Sequence, residues 1–177
     1  MRRTFACLFA VAAMSLNIVS AVRIAVVIPE SIIRRSAPDP AAETELGRAL
    51  VRAEHTLVVL SPEDYQRVAQ SAKMAAGNDA PLNQELLTKY SLDYLLVGEA
   101  FSEENTTVLP ELRSVGMTSF TARLEYHLML LKENRIALTD GLESSSYGIA
   151  PLVAGKRALQ RVAQKASIDI LSYLIVK

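Results

Sequence analysis

A single cysteine, Cys7, stands in the 177 residues, among the apolar residues that follow Arg2 and Arg3. Residues 22–177 therefore hold no thiol, which excludes disulfides, thiolate metal ligands and a cysteine nucleophile from them. Only two histidines occur, His55 and His127. No G-x-S-x-G turn accompanies them and neither has a second ligand at metal spacing, so a Ser-His-Asp set and a zinc site both lack their parts. Each reads as a solvated or capping histidine, His55 in the turn Ala53-Glu54-His55-Thr56 and His127 on the polar side of an alternating segment beside Glu125. Glycine is sparse, and residues 29–40, which join the first apolar run to the first helical one, contain none. Phosphate-cradling turns of the dinucleotide and P-loop kinds are excluded there. Charge of one sign is lacking too: 19 basic residues balance 19 acidic ones, and no basic run of five appears. Nucleic acid and anionic membrane surfaces lose their usual electrostatic driver. No cofactor and no metal is expected.

What is present begins with an export pattern. Arg2 and Arg3 precede an apolar stretch from Phe5 to Ala13 that continues through Val19, broken at Asn17 and Ser20. This is a signal-peptide profile, and Val19-Ser20-Ala21 places the expected cleavage after Ala21. Retention as an anchor is the alternative, because the stretch is nearly long enough to cross a bilayer. Cys7 lies inside the apolar stretch instead of after it, so a lipoprotein is not expected. Half of all residues are hydrophobic, and residues 22–177 suit one domain with a real core, with no room for a second. The expectation is a periplasmic protein that touches membrane only through its first 21 residues.

Hydrophobic periodicity gives the order of elements. Val22 to Ile28 is a β-branched run of the kind buried on both faces of a sheet, closed by Pro29. Ser31 to Asp39 is loop-like, and Asp39-Pro40 supplies an N-cap and first helical position for a helix to about Ala53. Thr56 to Leu60 reads as a short strand. Ser61-Pro62-Glu63-Asp64 is a dense helix start, opening a helix to about Ala75. After Gly77-Asn78-Asp79 a third helix runs from Pro81 to Tyr90, and Asp93 to Gly98 forms the next strand. Ser102 to Val115 turns polar and reads as a surface excursion. From Thr118 to Leu131 apolar Phe120, Ala122, Leu124, Tyr126 and Leu128 alternate with Thr121, Arg123, Glu125 and His127, the period of a strand wet on one face. Lys132-Glu133-Asn134 turns it into an antiparallel strand from Arg135 to Ser144, and a long helix covers Pro151 to Val176. The expected fold is α/β: a mixed sheet covered by helices, in the order β-α-β-α-α-β-β-β-α.

Candidate chemistry is thin. The acidic pairs Glu43/Glu45, Glu63/Asp64 and Glu103/Glu104 stand at helix starts or in polar stretches, where capping and solvation account for them. One segment looks chosen: Ser144-Ser145-Ser146-Tyr147-Gly148, a polar strand end before a helix N-terminus that can bind an anion or a partner strand. A plain connector is the competing reading, since serine and glycine are ordinary loop residues.

Several segments carry a family resemblance. R-I-A-V-V at Arg23–Val27, L-G-R-A-L-V at Leu46–Val51, T-L-V-V-L into S-P-E-D-Y-Q-R-V, and above all L-T-K-Y-S-L-D-Y-L-L-V-G-E-A at Leu87–Ala100 resemble one bacterial envelope superfamily. Its members are the periplasmic part of CsgG, LpoB, the TolB N-terminal domain and the FlgT middle domain. The strand F-T-A-R-L-E-Y-H-L-M-L-L and the alanine-rich last helix are similar as well, so the likeness spans about Arg23 to Leu174. It implies a non-enzymatic module with an envelope protein as partner, supporting assembly or regulation of an envelope machine. The chain departs from CsgG and LpoB in lacking a lipobox, and from TolB in lacking a propeller. The alternative is a subunit of an oligomeric outer-membrane export complex resembling CsgG, suggested by the alternation of Thr118 to Leu131. A hydrolase using the Ser144 to Tyr147 region is a third reading.

Overall fold

The strand β1, Arg23–Val27, pairs in parallel with β5, Tyr94–Asn105, placing Ile24 opposite Tyr94 and Val27 opposite Val97. The computed structural model describes residues 21–33, 35–36, 39–75, 79–105 and 115–175, so residues 1–20 of the expected signal segment and most of the polar excursion after Asn105 lie outside the described residues. Proline at 29 has no N–H to donate and interrupts the ladder. Beyond it β2, Glu30–Ile32, resumes the same register on β5 with Glu30 opposite Ala100, while the Pro29 carbonyl accepts from the Ala100 N–H at 3.1 Å. The two-residue β3, Arg35–Ser36, pairs antiparallel with β2. The loop expected from Ser31 thus contains strand structure, because β5 runs on to Asn105 and offers it a ladder.

On the other side of β1 lies β4, Thr56–Leu57, in parallel. The other edge of β5 is occupied along its whole length by β6, Thr118–Leu130, which pairs in turn with β7, Arg135–Gly148. A short 3₁₀ turn at Leu131–Glu133 and left-handed Asn134 join these two, as the sequence predicts. On one side of β5 the sheet holds β1 and its continuation β2, bordered by β4 and β3 respectively; on the other it holds β6 and then β7, so its outer strands are β4, β3 and β7. Both hairpin strands outrun the reading from sequence: β5 enters the polar segment and β7 reaches Gly148. Their polar residues are stabilised there by backbone pairing with β6, which side-chain hydropathy does not register.

The helices are α1 (Ala41–Arg52), α2 (Pro62–Ala75), α3 (Ala80–Tyr90) and α4 (Pro151–Ile175). On one face of the sheet, α1 and α4 bury Ile24, Val26, Leu96, Phe120, Leu124, Tyr126 and Leu128. On the other, α2 and α3 cover only Ala25, Val27, Leu95, Val97 and Met129. That division explains why β1 is apolar on both faces while β6 alternates. Each such large side chain taken from water is worth roughly 1.5–3 kcal/mol. Close packing of α4 depends on Gly155, where a Cβ would lie 2.9 Å from the Ile32 side chain. The fold is the expected α/β arrangement of a mixed sheet covered by helices with a long last helix. Among the described residues no helix is long and apolar enough to cross a membrane.

Candidate functional site

The connections leaving β1 and β4 part to opposite sides. From β1 the chain passes through α1 on one face to β4; from β4 it passes through α2 and α3 on the other face and returns to β5, beyond β1. Beside β4, between α1 and the start of α2, a crevice opens. It is a groove of about 570 Å³ whose walls include Gly47 and Val51 of α1, Leu57 and Val59 around β4, and Glu43 and Tyr65 at the starts of α1 and α2. Gly47 brings α1 close, since a Cβ there would sit 3.0 Å from Leu57. Arg48 and Arg52 also line the groove and are exposed.

Polar groups at the floor are already engaged. Glu43 accepts through Oε2 from the Ile28 N–H at 2.9 Å and from the Tyr65 hydroxyl at 2.7 Å. Burial pushes the Glu43 carboxyl above its ordinary pKa, against the lowering effect of these two donors. Tyr65 is pushed well up by its own burial and by the Glu43 carboxylate, so it stays a neutral donor. Behind them Glu30 accepts from the N–H groups of Ala41 at 2.7 Å and Glu43 at 2.8 Å. The helix start is thus capped from β2, whereas Pro40 occupies the N-cap position with no side-chain cap. The expected Asp39 cap is corrected: Asp39 instead meets Lys156 at 2.7 Å. The Ala41 and Glu43 N–H groups at the start of α1 are thus taken by a carboxylate and not offered to a phosphate, and the groove walls are mostly apolar.

The histidines separate. His55 is 5 % exposed and neither ring nitrogen has a hydrogen-bond partner, which corrects the solvated or capping reading; burial pushes its pKa down. His127 does lie on the polar side of β6, with Nδ1 2.8 Å from the Thr139 hydroxyl. Among the described residues no group of three or more His, Cys, Asp or Glu is placed to hold a metal ion.

Ser144, Ser145, Ser146, Tyr147 and Gly148 are the last five residues of β7, not a connector. Ser144 and Ser146 stand opposite the core residues Ala122 and Phe120, and Ser146 is buried. Ser145 and Tyr147 lie on the open face, the Ser145 hydroxyl 3.1 Å from that of Thr121. On this outer edge the Ser145 carbonyl accepts from Arg161 at 2.9 Å and the Glu143 carbonyl from Lys165 at 2.8 Å, both reaching over from α4. The alternating Thr118 to Leu131 segment is internal to the sheet as β6, with Arg123 and Glu125 paired at 2.8 Å on its open face.

Sequence reasoning passed over Glu30 and the groove. A glutamate just past the proline that ends a central strand, followed by a helix start without its own capping side chain, was the available signal.

No protein-family model and no curated protein matches the sequence. The fold has solved counterparts. A hypothetical protein from Chlamydia trachomatis superposes with a TM-score of 0.56 at 12 % identity, covering 89 % of this chain and 100 % of that one. At that identity the likeness is one of fold. A minor lipoprotein from Acinetobacter baumannii gives a TM-score of 0.47 at 12 % identity, with 84 % and 91 % covered. The C-terminal domain of LpoB from Salmonella enterica gives 0.39 at 14 % identity, with 70 % and 82 % covered.

Proposed function

We propose that this protein is a non-enzymatic interaction module of the bacterial cell envelope, released into the periplasm by cleavage after Ala21 and bearing no lipid. It supports assembly or regulation of an envelope machine by holding a partner protein in the groove between α1 and α2. The observation that carries the reading is the groove itself: apolar walls, an engaged polar floor, and Val51 and Val59 exposed at its mouth, 55 % and 84 %. Two exposed valines lining one apolar groove form a contiguous patch that another molecule can cover. The envelope setting is supported by the Arg2 to Ala21 pattern and by the sequence resemblance of Arg23 to Leu174.

Site-specific crosslinking tests this. A photoreactive residue at Val59 is expected to give discrete protein adducts in intact envelopes, while the same residue at Lys132, in the turn between β6 and β7, gives none of them. Equal adduct patterns from both positions, or none from Val59, would remove the proposal.

A further inference from the structure

We infer that the occupant of the groove is an extended segment of the partner, added as a strand to the outer edge of β4, with acidic side chains reaching Arg48 and Arg52. This rests on the interaction-module reading above and names its chemistry.

The first support is the contrast between two outer strands of the sheet, β7 and β4. At β7 the outward carbonyls of Glu143 and Ser145 accept from Lys165 and Arg161, so that edge is blocked by cations. At β4 the Thr56 and Val58 N–H groups donate inward to the carbonyls of Val22 at 2.9 Å and Ile24 at 2.8 Å. Alternation along the extended backbone then turns the N–H and C=O of Leu57 away from β1, and, past the end of β4, where the Val58 N–H still donates to β1, it turns those of Val59 the same way. Among the described residues β4 pairs with β1 alone, so its outward groups have no ladder partner. Exposed backbone donors and acceptors flanked by pockets for alternate side chains are the requirements of strand addition.

The second support is charge. Among the described residues Arg48 pairs with Glu45, at 3.6 Å on the same helix, and acts at longer range on the exposed Asp39 carboxyl, while Arg52 makes no ion pair. Glu43, the acid inside the groove, is taken up by Ile28 and Tyr65. The mouth is therefore positive over apolar walls, which selects a segment alternating aliphatic and acidic residues.

The test is an NMR titration of the full-length mature chain with an eight-residue probe peptide alternating valine and glutamate. Saturable shifts and slowed amide exchange centred on Leu57 and Val59 are expected. Affinity should fall at least tenfold with lysine in place of glutamate, with Arg52→Glu, and with the probe N-methylated at alternate residues. Val59→Pro should abolish binding while keeping the thermal midpoint, since the Val59 N–H faces away from β1. Binding that survives N-methylation would mean an apolar ligand held by its side chains and would overturn strand addition, as would shifts that avoid Leu57 and Val59. Adducts from Val59 in envelopes together with an unbound probe would sink this inference and leave the module reading standing; no adducts would sink both.

Discussion

Glu30 caps the helix that carries Glu43: its carboxylate, on β2, accepts the Glu43 N–H at 2.8 Å and the Ala41 N–H at 2.7 Å. One acid thereby fixes the start of α1 and the position of a second acid at the groove floor. Glu30→Ala leaves two helix N–H groups without their acceptor and should destabilise by about 2 kcal/mol, lowering the thermal midpoint by roughly 4–8 °C. Asp39→Ala, which removes only an exposed contact to Lys156, should leave the midpoint nearly unchanged. Burial raises the Glu30 pKa despite these bonds. A raised acid binds its proton more readily folded than unfolded, so its contribution worsens as pH rises through the folded value, and Glu30→Gln should flatten that part of the stability profile. Equal midpoints for Glu30→Ala and Asp39→Ala would refute the assignment.

How much of this was legible follows from the kind of interaction involved. Core strands and helices announce themselves by period, so β1, α2, α3, the β6–β7 turn and α4 stand where the pattern of Ile24, Val68, Leu86, Phe120 and Val162 puts them. Ser61, whose hydroxyl accepts the Asp64 N–H at 3.2 Å, is a cap of local origin and was readable. Glu30 was not, because the groups it serves lie across a turn whose path no local rule fixes. The groove was illegible for a related reason: Val51 and Val59 come together through the divergence of α1 and α2, and single exposed valines carry no signal in sequence.

Gly98 lies near the end of the segment Leu87–Ala100 that carries the resemblance, and its reason is steric. A Cβ there would lie 2.2 Å from the Glu125 carbonyl oxygen and 3.1 Å from the Tyr126 Cα, both backbone atoms of β6. Neither can rotate away, so Gly98→Ala must part the β5–β6 ladder. A loss of at least about 3 kcal/mol is expected, read as a collapse in soluble folded yield. Gly141→Ala, whose Cβ would meet only the Glu125 side chain at 3.8 Å, serves as control and should behave as wild type.

Asp64 gathers Lys89 at 2.7 Å, the Tyr90 hydroxyl at 2.6 Å and the Ser61 hydroxyl at 2.9 Å. Lys89 first, then Tyr90 and Ser61, hold its carboxyl well below the ordinary aspartate range. A depressed acid stabilises the fold above its unfolded pKa, near 3.9, and loses that contribution as pH falls below it. Asp64→Asn should therefore cost about 3 kcal/mol at neutral pH, and the gap to wild type should close as pH falls below about 4. Denaturant melts at both pH values decide it; a constant gap contradicts the argument.

His55 offers the opposite dependence on pH. Buried with both ring nitrogens unpartnered, it is held neutral, its pKa pushed down by burial. The unfolded chain takes up a proton near pH 6.5 that the folded chain refuses, so stability should fall as pH drops below about 6.5. His55→Leu removes the unsatisfied nitrogens and should raise the midpoint, with about 1 kcal/mol gained, and should flatten the profile between about pH 5 and 7. An unchanged slope in that window would show that His55 is not the group responsible.

Arg161 and Lys165 lie one helical turn apart on α4 and reach outward carbonyls two residues apart on β7, so the spacing of helix and strand matches at this edge. A long outer strand with free carbonyls is a template for a further strand from another copy of the chain. Removing both cations uncovers the edge without touching the core, because each side chain is exposed. Arg161→Ala with Lys165→Ala should therefore leave far-ultraviolet circular dichroism unchanged and drive concentration-dependent association, visible by sedimentation velocity. Adding Ser145→Lys to that double variant puts a charge back on the strand and should return the protein to its original sedimentation behaviour. If the double variant sediments as wild type does, the two cations do not guard the edge, and the contrast with β4 loses its basis.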